Sequence, residues 1–466
     1  MGDKDIVRRL MEKGYSVSPT VVKDLTERDF FRITESEKSI DHVDKEVLSQ
    51  VRGSSCDFEG VKTKVVVEKN FEGCEENKDV GEFVRYFNDR FFRLKDLISN
   101  RLEVSDAVSI GRLSGYGKND DVSIIGMVTN KYKTRKSGKW IVYVEDDTGS
   151  TKVLVDEDEG EWIVNDEVLG FRGATGDDIV FANEVVRPDV PLSRDLEKVE
   201  DEVYAAFLSD LHFGSKDTLK NKTMKFAEWV CSGKGIADKI GYIFLNGDIV
   251  EGIGTYPGQK DELVVEDIFE QYNEFVEFVN IIPDHVQIIV NPGNHDLVRM
   301  AEPQPPLPKN SVNGLYDKDN VYLLSNPCTV KVHGFGESSG LRVLLYHGYS
   351  FDSHVDSIPS LRDNAYENPC KCMVDLIRRR HLSPSYGSSL LSPEERDYLV
   401  IDEIPDIFVM GHTHAFEVSN YKGISLISSG TMQSQTSFQK RMGHKPDPGK
   451  IAMLNLKTRD VKVKEV

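Results

Sequence analysis

The chain has 466 residues, of which 39% are hydrophobic, and this is enough for packed cores in two or three domains. Acidic residues outnumber basic ones by 78 to 58, and the net charge of −20 argues against a protein that coats nucleic acid through bulk positive charge. The six cysteines include no CxxC pair, which argues against a zinc ribbon. Because the sequence contains no signal peptide and no apolar run of membrane-spanning length, we expect a soluble intracellular protein with no membrane partner.

The first 52 residues are predicted to form a small helical domain. Apolar residues recur at helical spacing at Ile6, Leu10 and Met11, and the pattern stops at Gly14. No motif of recognisable chemistry occurs in this region. The simplest interpretation of residues 1–52 is therefore an interaction or docking module.

Two further segments precede the next domain. Residues 53–79 mix glycine, serine and charged residues around one β-like run, Val65–Val67, and are predicted to be a flexible linker with little fixed structure. Apolar residues then recur at helical spacing from Phe83 to Ile98. This apolar stripe predicts a helix over residues 80–103 that leads into the following domain.

Residues 104–195 change from helical to strand periodicity. Five short apolar runs separated by turns favour a small Greek-key barrel, and the segments Gly126–Thr129 and Glu145–Gly149 resemble the oligonucleotide-binding (OB) fold. The first hairpin interleaves basic residues with Tyr132 and Trp140, a combination that can follow a single nucleic-acid strand. The candidate cations are Lys131, Lys133 and Arg135. The alternative is a solvated hairpin on a barrel that contacts only its own partner domain.

Residues 196–466 alternate apolar strands with helices, and a polar motif directly follows a strand at five points. The carboxyl ends of strands are where α/β sheets build their sites. The motifs supply seven nitrogen and oxygen side chains of the kinds that bind two divalent metal ions, a device for breaking phosphate esters. These side chains are Asp210, His212, Asp248, Asn294, His347, His412 and His414.

This ordered set resembles the calcineurin-like metallophosphoesterase superfamily, which implies an α/β fold with a β-sandwich flanked by helices. The resemblance also implies two groups of ligands and one bridge. These are Asp210, His212 and His414 for a first ion, Asn294, His347 and His412 for a second, and Asp248 for both. It further implies that His295 protonates the leaving oxygen and that Asp296 orients His295. Mixed imidazole and carboxylate ligands favour manganese, with iron or zinc as alternatives, over magnesium.

An OB-like barrel upstream of a phosphoesterase domain is the arrangement of the small, or B, subunits of DNA polymerases. Four local segments are similar to that family: Asp210–Ser215, Asn246–Gly252, Gly254–Gln259 and Ser429–Gln439. In the small subunits of the eukaryotic polymerases the metal ligands are degraded, whereas all seven are present here. The chain therefore resembles the archaeal version, the small subunits of D-family DNA polymerases.

This resemblance implies a proofreading 3′→5′ exonuclease that cleaves DNA phosphodiesters by a two-metal mechanism in the cytoplasm of an archaeal cell. Its partners would be a large catalytic polymerase subunit, DNA 3′ ends and, through the complex, a sliding clamp. Lys440 and Arg441 follow the last family-like segment and are either DNA contacts or part of a surface turn. Two alternatives stay open: a phosphomonoesterase or cyclic-nucleotide phosphodiesterase, and an architectural polymerase subunit of little activity.

Overall fold

The computed structural model describes residues 3–23, 25, 27–34, 40–48, 61–73 and 80–466. Its helices alternate with strands in the C-terminal half, as the sequence predicts. The helices are α1 (Asp3–Glu12), α2 (Glu27–Thr34), α3 (Val80–Ser99), α4 (Glu157–Trp162), α5 (Lys220–Ser232), α6 (Ile268–Ile281), α7 (Phe351–Ser357), α8 (Pro359–Arg362), α9 (Pro369–Arg379) and α10 (Ser437–Met442). None of the helices in the described ranges combines the length and apolarity needed to cross a bilayer.

The strands form a two-stranded pair, a closed barrel and two six-stranded sheets. The pair and the edge strand that follows it are β1 (Ser16–Val17), β2 (His42–Val43) and β3 (Val65–Lys69). The barrel strands are β4 (Asp121–Lys133), β5 (Trp140–Asp146), β6 (Gly149–Val155), β7 (Val168–Thr175) and β8 (Ile179–Val186). The remaining strands are β9 (Tyr204–Leu208), β10 (Ile240–Asn246), β11 (Gln287–Asn291), β12 (Val321–Leu323), β13 (Cys328–Val332), β14 (Leu341–Tyr346), β15 (Ile407–Met410), β16 (Phe416–Tyr421), β17 (Ile424–Ser429), β18 (Lys450–Asn455) and β19 (Val461–Glu465).

The barrel closes in the order β4-β5-β6-β8-β7, so the predicted five-stranded barrel is confirmed. Alternate residues of its strands, such as Val142 and Val144, point into an apolar interior. Helix α4 connects β6 to β7, and α3 packs on the outside of the barrel through Phe91, Leu94 and Ile98. The apolar face from which α3 was predicted is therefore the face that packs against the barrel.

The two large sheets pack face to face, and helices cover both outer surfaces. The first sheet has the order β12-β11-β10-β9-β18-β19 and the second has the order β16-β17-β15-β14-β13-β3. Phe207 and Phe244 of the first sheet share a buried core with Val343 and Val409 of the second. Helices α5 and α6 cover the first sheet, and α7 to α9 cover the second. The predicted mixed α/β fold is thus confirmed.

Strand β3 lies within the segment predicted to be a linker. It pairs antiparallel with β13, with Val65 opposite Val332 and Val66 opposite Lys331. The Lys69 ammonium donates to the carbonyl of Val400 at 2.6 Å, which ties the end of the strand to the loop before β15. The expectation of little fixed structure is therefore wrong for residues 61–73, because the valine run pairs with β13, a strand more than 200 residues later in the chain. Residues 53–60 and 74–79 of the predicted linker lie outside the described residues.

Helix α3 is anchored to the second sheet's loops by a fully buried charge. The Arg90 guanidinium donates to Asp397 Oδ2 at 2.7 Å and to the hydroxyl of Tyr86 at 3.0 Å. His381 Nε2 lies 2.8 Å from the same Asp397 oxygen. Although burial raises the pKa of the Asp397 carboxyl, Arg90 and His381 together outweigh burial and hold that pKa far below its ordinary value. Each charge is tolerated in the interior because the other is present.

Replacing Arg90 with leucine is expected to lower the free energy of unfolding by about 3–5 kcal/mol, because the Asp397 charge would stay buried without its partner. Urea unfolding of the metal-free protein measures the change. The matched control is Arg85→Leu on the same helix, since Arg85 is 58% exposed and only approaches Glu82 at 3.7 Å. The control should change stability by no more than about 0.5 kcal/mol. Equal losses in the two variants would contradict the assignment of Arg90 as the anchor.

Candidate metal centre

All seven predicted ligands meet at one edge of the two sheets. Strands β9, β10 and β11 run parallel, as do β14, β15 and β17, so their carboxyl ends lie side by side. Three groups of side chains offer ligand atoms that lie within 4.8 Å of one another. These groups are Asp210, His212 and His414; His212, Asp248 and His295; and Asp248, His347 and His412.

The first cluster consists of Asp210, His212 and His414. Asp210 Oδ1 lies 3.3 Å from His414 Nε2 and 3.9 Å from His212 Nε2, and the two imidazole nitrogens are 3.2 Å apart. This carboxylate oxygen is buried and has no hydrogen-bond partner within the described part of the chain. A buried acceptor without a partner is costly unless a cation or a donor satisfies it. The cluster therefore fits a divalent metal ion.

The second cluster is centred on Asp248. Its Oδ2 atom lies 3.3 Å from His347 Nε2 and 3.9 Å from His212 Nε2, so one oxygen faces both clusters. Asn294 Oδ1 lies 3.2 Å from His347 Nε2. A Cβ on Gly293 would come within 2.2 Å of the Asp248 carboxylate, so only glycine allows this close approach. The structure thus places one Asp248 oxygen near an imidazole of each cluster, and the bridging role stays a prediction.

The backbone around the ligands is strained. Five of the seven adopt positive φ angles between 48° and 65°, a region that residues other than glycine seldom occupy, although asparagine, aspartate and histidine enter it more often than the rest. The five are Asp210, His212, Asp248, His412 and His414. Such conformations are unfavourable and cluster where the surrounding structure imposes them for function. Their concentration at one site favours a binding role over a purely structural one.

The pKa values of the clustered side chains show that positive charge is stabilised at this site. Burial by itself lowers the pKa of His347, but Asp248 and Asp210 together outweigh burial and raise that pKa to about 10. In the same way burial lowers the pKa of His212, and Glu251, Asp248 and Asp210 together raise it to about 9. Burial raises the pKa of Asp248, yet His347 and other nearby imidazoles hold it well below its ordinary value. A divalent ion can supply the charge that protons otherwise bring, and its binding releases those protons.

His295 lies at the mouth of the site, with 17% of its side chain exposed. Its amide donates to Asp248 Oδ1 at 2.8 Å, and its Nδ1 atom lies 2.8 Å from the carbonyl of Glu251. Nε2 lies 4.0 Å from Asp248 Oδ2 and is the nitrogen on the cluster side of the ring. The sequence predicted that His295 would lie close to the candidate ligands, and the structure brings it beside His212 and Asp248.

Asp296 has a different position from the one that the sequence suggested. Its carboxylate accepts from the amide of Gly293 at 2.8 Å, from the amide of Ile249 at 3.2 Å and from the hydroxyl of Tyr272 at 3.0 Å. Burial raises the pKa of Asp296 to about 6, with the neighbouring Asp248 adding to the shift. The side chain turns back toward the Asp248 loop and does not orient His295. It fixes the two backbone turns that carry Asp248 and Asn294.

Three side chains that sequence reasoning did not assign contact the ligand imidazoles. Glu251 Oε2 lies 3.0 Å from His212 Nδ1, Asp352 Oδ2 lies 3.2 Å from His412 Nε2, and Gln439 Nε2 lies 2.8 Å from His414 Nδ1. Such contacts fix the orientation of ligand rings and tune their basicity. Glu251 and Gln439 fall in segments that carried the family resemblance, which was the available signal. Asp352 has no such signal, since it lies on α7.

The predicted nucleic-acid contacts divide into two groups. In the barrel hairpin, the Lys131 ammonium donates to the carbonyl of Gly160 at 2.8 Å, and Lys133 pairs with Glu157 at 2.6 Å. These two cations are therefore largely engaged by α4, whereas Arg135 is exposed. Lys440 and Arg441 are exposed on α10, next to the residue that contacts His414. The second pair is thus the one that the fold brings beside the metal clusters.

A family model and individual relatives both show similarity to the small, or B, subunits of DNA polymerases. Residues 206–418 match the family of the B subunits of DNA polymerases alpha and epsilon. The DNA polymerase II small subunit of Methanocaldococcus jannaschii is 38% identical over 394 residues, which is 81% of this chain and 64% of that protein. This chain therefore spans slightly less than two thirds of that relative. A solved archaeal phosphodiesterase is 14% identical and covers 57% of this chain and 100% of its own, but its TM-score is only 0.28.

A second archaeal relative is matched over more of its length. The DNA polymerase II small subunit of Methanothermobacter thermautotrophicus is 40% identical over 390 residues, which is 81% of this chain and 78% of that protein. Identity at this level over most of both chains confirms the resemblance to archaeal polymerase small subunits. The chain belongs to the family of archaeal DNA polymerase II small subunits.

Proposed function

We propose that this chain is the metal-dependent 3′→5′ proofreading exonuclease subunit of an archaeal replicative DNA polymerase. The observation that carries the proposal is the pair of clusters with one Asp248 oxygen facing both, which together offer carboxylate, imidazole and amide groups of the kinds that hold two divalent ions. Family membership supports DNA 3′ ends as the substrate of this proposal. An architectural subunit would have no need for five residues of unfavourable backbone conformation at one site.

The roles of the residues follow from their positions. Two groups would each hold one divalent ion, with Asp248 facing both: Asp210, His212 and His414 in the first, and Asn294, His347 and His412 in the second. When bound, the ions would supply a nucleophile near neutral pH and offset the charge of the phosphate. Manganese suits this mixed imidazole and carboxylate set best, with iron or zinc as alternatives.

His295 is the proton donor in this proposal. Its Nδ1 atom is occupied by the Glu251 carbonyl, which leaves Nε2 directed toward the clusters. The protonated ring would give its Nε2 proton to the 3′ oxygen as the P–O3′ bond breaks. The products are a 5′-mononucleotide and a strand with a free 3′ hydroxyl.

The rest of the chain would serve the polymerase complex. The strand order of the barrel, with α4 between its third and fourth strands, supports the OB assignment. We expect a heterodimer with a large catalytic subunit in the archaeal cytoplasm, with a sliding clamp reached through that complex. The N-terminal helices would act as a docking module.

The test is digestion of labelled DNA by the purified chain, alone and with a large subunit, across manganese, iron, zinc and magnesium. We expect release of 5′-mononucleotides from the 3′ end, faster at a mismatch than at a paired terminus and abolished by a chelator. Turnover of p-nitrophenyl phosphate or a cyclic nucleotide far above that of DNA would favour the phosphomonoesterase alternative. A complex without nuclease activity at saturating manganese would favour the architectural one.

Lys440 and Arg441 are expected to contact DNA phosphates beside the clusters. Replacing either one with alanine should weaken single-strand binding and reduce the slope of log K against log salt by about 0.7, the value for one lost phosphate contact. Fluorescence anisotropy at several salt concentrations measures the slope. The control is Lys118→Ala, an exposed barrel lysine that pairs with Asp177 at 2.7 Å. An unchanged slope in both α10 variants would place the DNA elsewhere.

A further inference from the structure

Glu251 has contacts with both kinds of functional histidine. Its side chain is only 2% exposed, and its Oε2 atom lies 3.0 Å from Nδ1 of the metal ligand His212. Its backbone carbonyl lies 2.8 Å from Nδ1 of His295. In both rings the contacted nitrogen is Nδ1, so in both rings Nε2 is turned toward Asp248. One residue therefore contacts two imidazoles to which the proposed function gives different roles.

The segment after Glu251 packs directly on His295. Gly252 has a φ of +80°, and a Cβ there would lie 2.4 Å from the carbonyl oxygen of His295. Its amide donates to Gln271 Oε1 at 2.9 Å, which fixes the turn from the side of α6. Only glycine fits both the backbone angle and the close approach. The carbonyl of Glu251 is thereby held against the His295 ring.

Two segments that resembled the family without an assigned role converge on Glu251. From the first, Gln259 Nε2 donates to the Glu251 carbonyl at 2.8 Å, and the Tyr256 hydroxyl donates to Oε1 at 3.0 Å. From the second, Gln433 Nε2 donates to Oε2 at 2.9 Å. The carboxylate and the carbonyl are each fixed by a neighbour besides the histidine. Glu251 is thus the centre of a buried network, and its geometry is set before any substrate arrives.

We propose that Glu251 is a positioning residue that holds the metal ligand His212 and the proton donor His295 as one rigid unit. The proposal rests on the proposed function for the role of His295, but its metal-binding part stands on the contact with His212. A carboxylate on the far nitrogen of a ligand imidazole fixes the tautomer and strengthens the ligand. Loss of the carboxylate therefore weakens the metal site without touching the substrate.

The test compares Glu251→Gln with the wild-type chain by calorimetric titration with Mn²⁺ and by exonuclease kinetics. Glutamine keeps the size of the side chain and the backbone carbonyl but removes the negative charge. We expect Mn²⁺ affinity to fall about 10–100-fold, as for other partners of ligand histidines. We expect kcat to fall, with KM for DNA within about two-fold, since Glu251 acts through His212 and not on the substrate. The control is Glu266→Gln, an exposed glutamate of the same region that pairs with Lys260 at 3.2 Å.

A second variant guards against misfolding. Tyr256→Phe removes the hydroxyl that donates to Glu251 Oε1 and should give a smaller loss of Mn²⁺ affinity in the same direction. Wild-type affinity for Mn²⁺ in folded Glu251→Gln, or a loss that falls on KM alone, would overturn the proposal. If the wild-type chain bound Mn²⁺ but cleaved no DNA, the proposed function would fail, while the affinity ratio would still decide the role of Glu251.

Discussion

Replacing His295 with alanine is expected to lower kcat for DNA hydrolysis by about 10²–10⁴-fold, the range for loss of a general acid. The reason is geometric. The Nε2 atom of His295 faces the clusters, and the ring is partly exposed. The Nδ1 atom lies against the backbone carbonyl of Glu251. Single-turnover digestion of a 3′-mismatched substrate at saturating Mn²⁺ measures the rate of the chemical step. Manganese binding should be retained, because the proposed ligands remain.

Two controls make the His295 result interpretable. His42→Ala changes an exposed histidine of the N-terminal region and should leave kcat unchanged. A substrate whose leaving oxygen is far more acidic than a 3′ hydroxyl should recover much of the rate in His295→Ala, since it needs no proton. Wild-type kcat in His295→Ala with the ordinary substrate would remove His295 from the mechanism.

Replacing Asp248 with asparagine is expected to abolish both Mn²⁺-dependent stabilisation and nuclease activity. Asp248 Oδ2 is the atom that faces both clusters, so a neutral amide weakens both positions at once. A ligand at about 1,000 times its dissociation constant stabilises the folded state by about 4 kcal/mol. At such a Mn²⁺ concentration the wild type should gain this much for each ion that it binds, and Asp248→Asn should lose most of the gain. Urea unfolding with and without Mn²⁺ measures the difference.

The metal-free state provides the internal check on this result. Asparagine can still accept the His295 amide at Oδ1, but it no longer pairs with the buried His347 ring, so the variant should be less stable than the wild type without metal. The quantity compared is therefore the gain in stability on adding Mn²⁺ to each protein. The control is Asp121→Asn, an exposed carboxylate that approaches Arg172 at 3.9 Å. A Mn²⁺-dependent gain in Asp248→Asn equal to that of the wild type would mean that the clusters do not share this residue.

The position of the candidate site could be predicted from the sequence, because each polar motif follows a predicted strand. Asp210 and Asp248 each come directly after a buried strand, and parallel neighbours must end at the same edge. The partners of the imidazoles were not predictable in this way. Asp296 is next to His295 in the chain but turns back to the Gly293 amide, whereas the carbonyl that holds His295 comes from Glu251. Side-chain direction at a strained turn depends on the whole fold and not on adjacency.

The basic residues of the barrel hairpin could not be assigned to nucleic-acid binding from the sequence alone. The basic hairpin containing Lys131 and Lys133 was compatible with a nucleic-acid surface, but the short helix α4 brings acidic side chains and free carbonyls against it. A cation is available to a ligand only if nothing in the fold neutralises it first. Arg135, Lys440 and Arg441 meet this condition better, and in the last two cases the reason is a helix whose packing the sequence alone did not specify.

Strand β3 determines where the chain can be truncated without exposing a sheet edge. A boundary at residue 80 would separate this strand from β13, although the two form one sheet. The cut would leave β13 as a bare edge whose amides and carbonyls, flanked by Val330 and Val332, could pair with another chain. A fragment that begins at α3 should therefore tend to aggregate, while one that also retains residues 61–73 should stay monomeric. A fragment for expressing the two-sheet half should therefore begin at residue 61, inside the segment that the sequence predicted to be a linker.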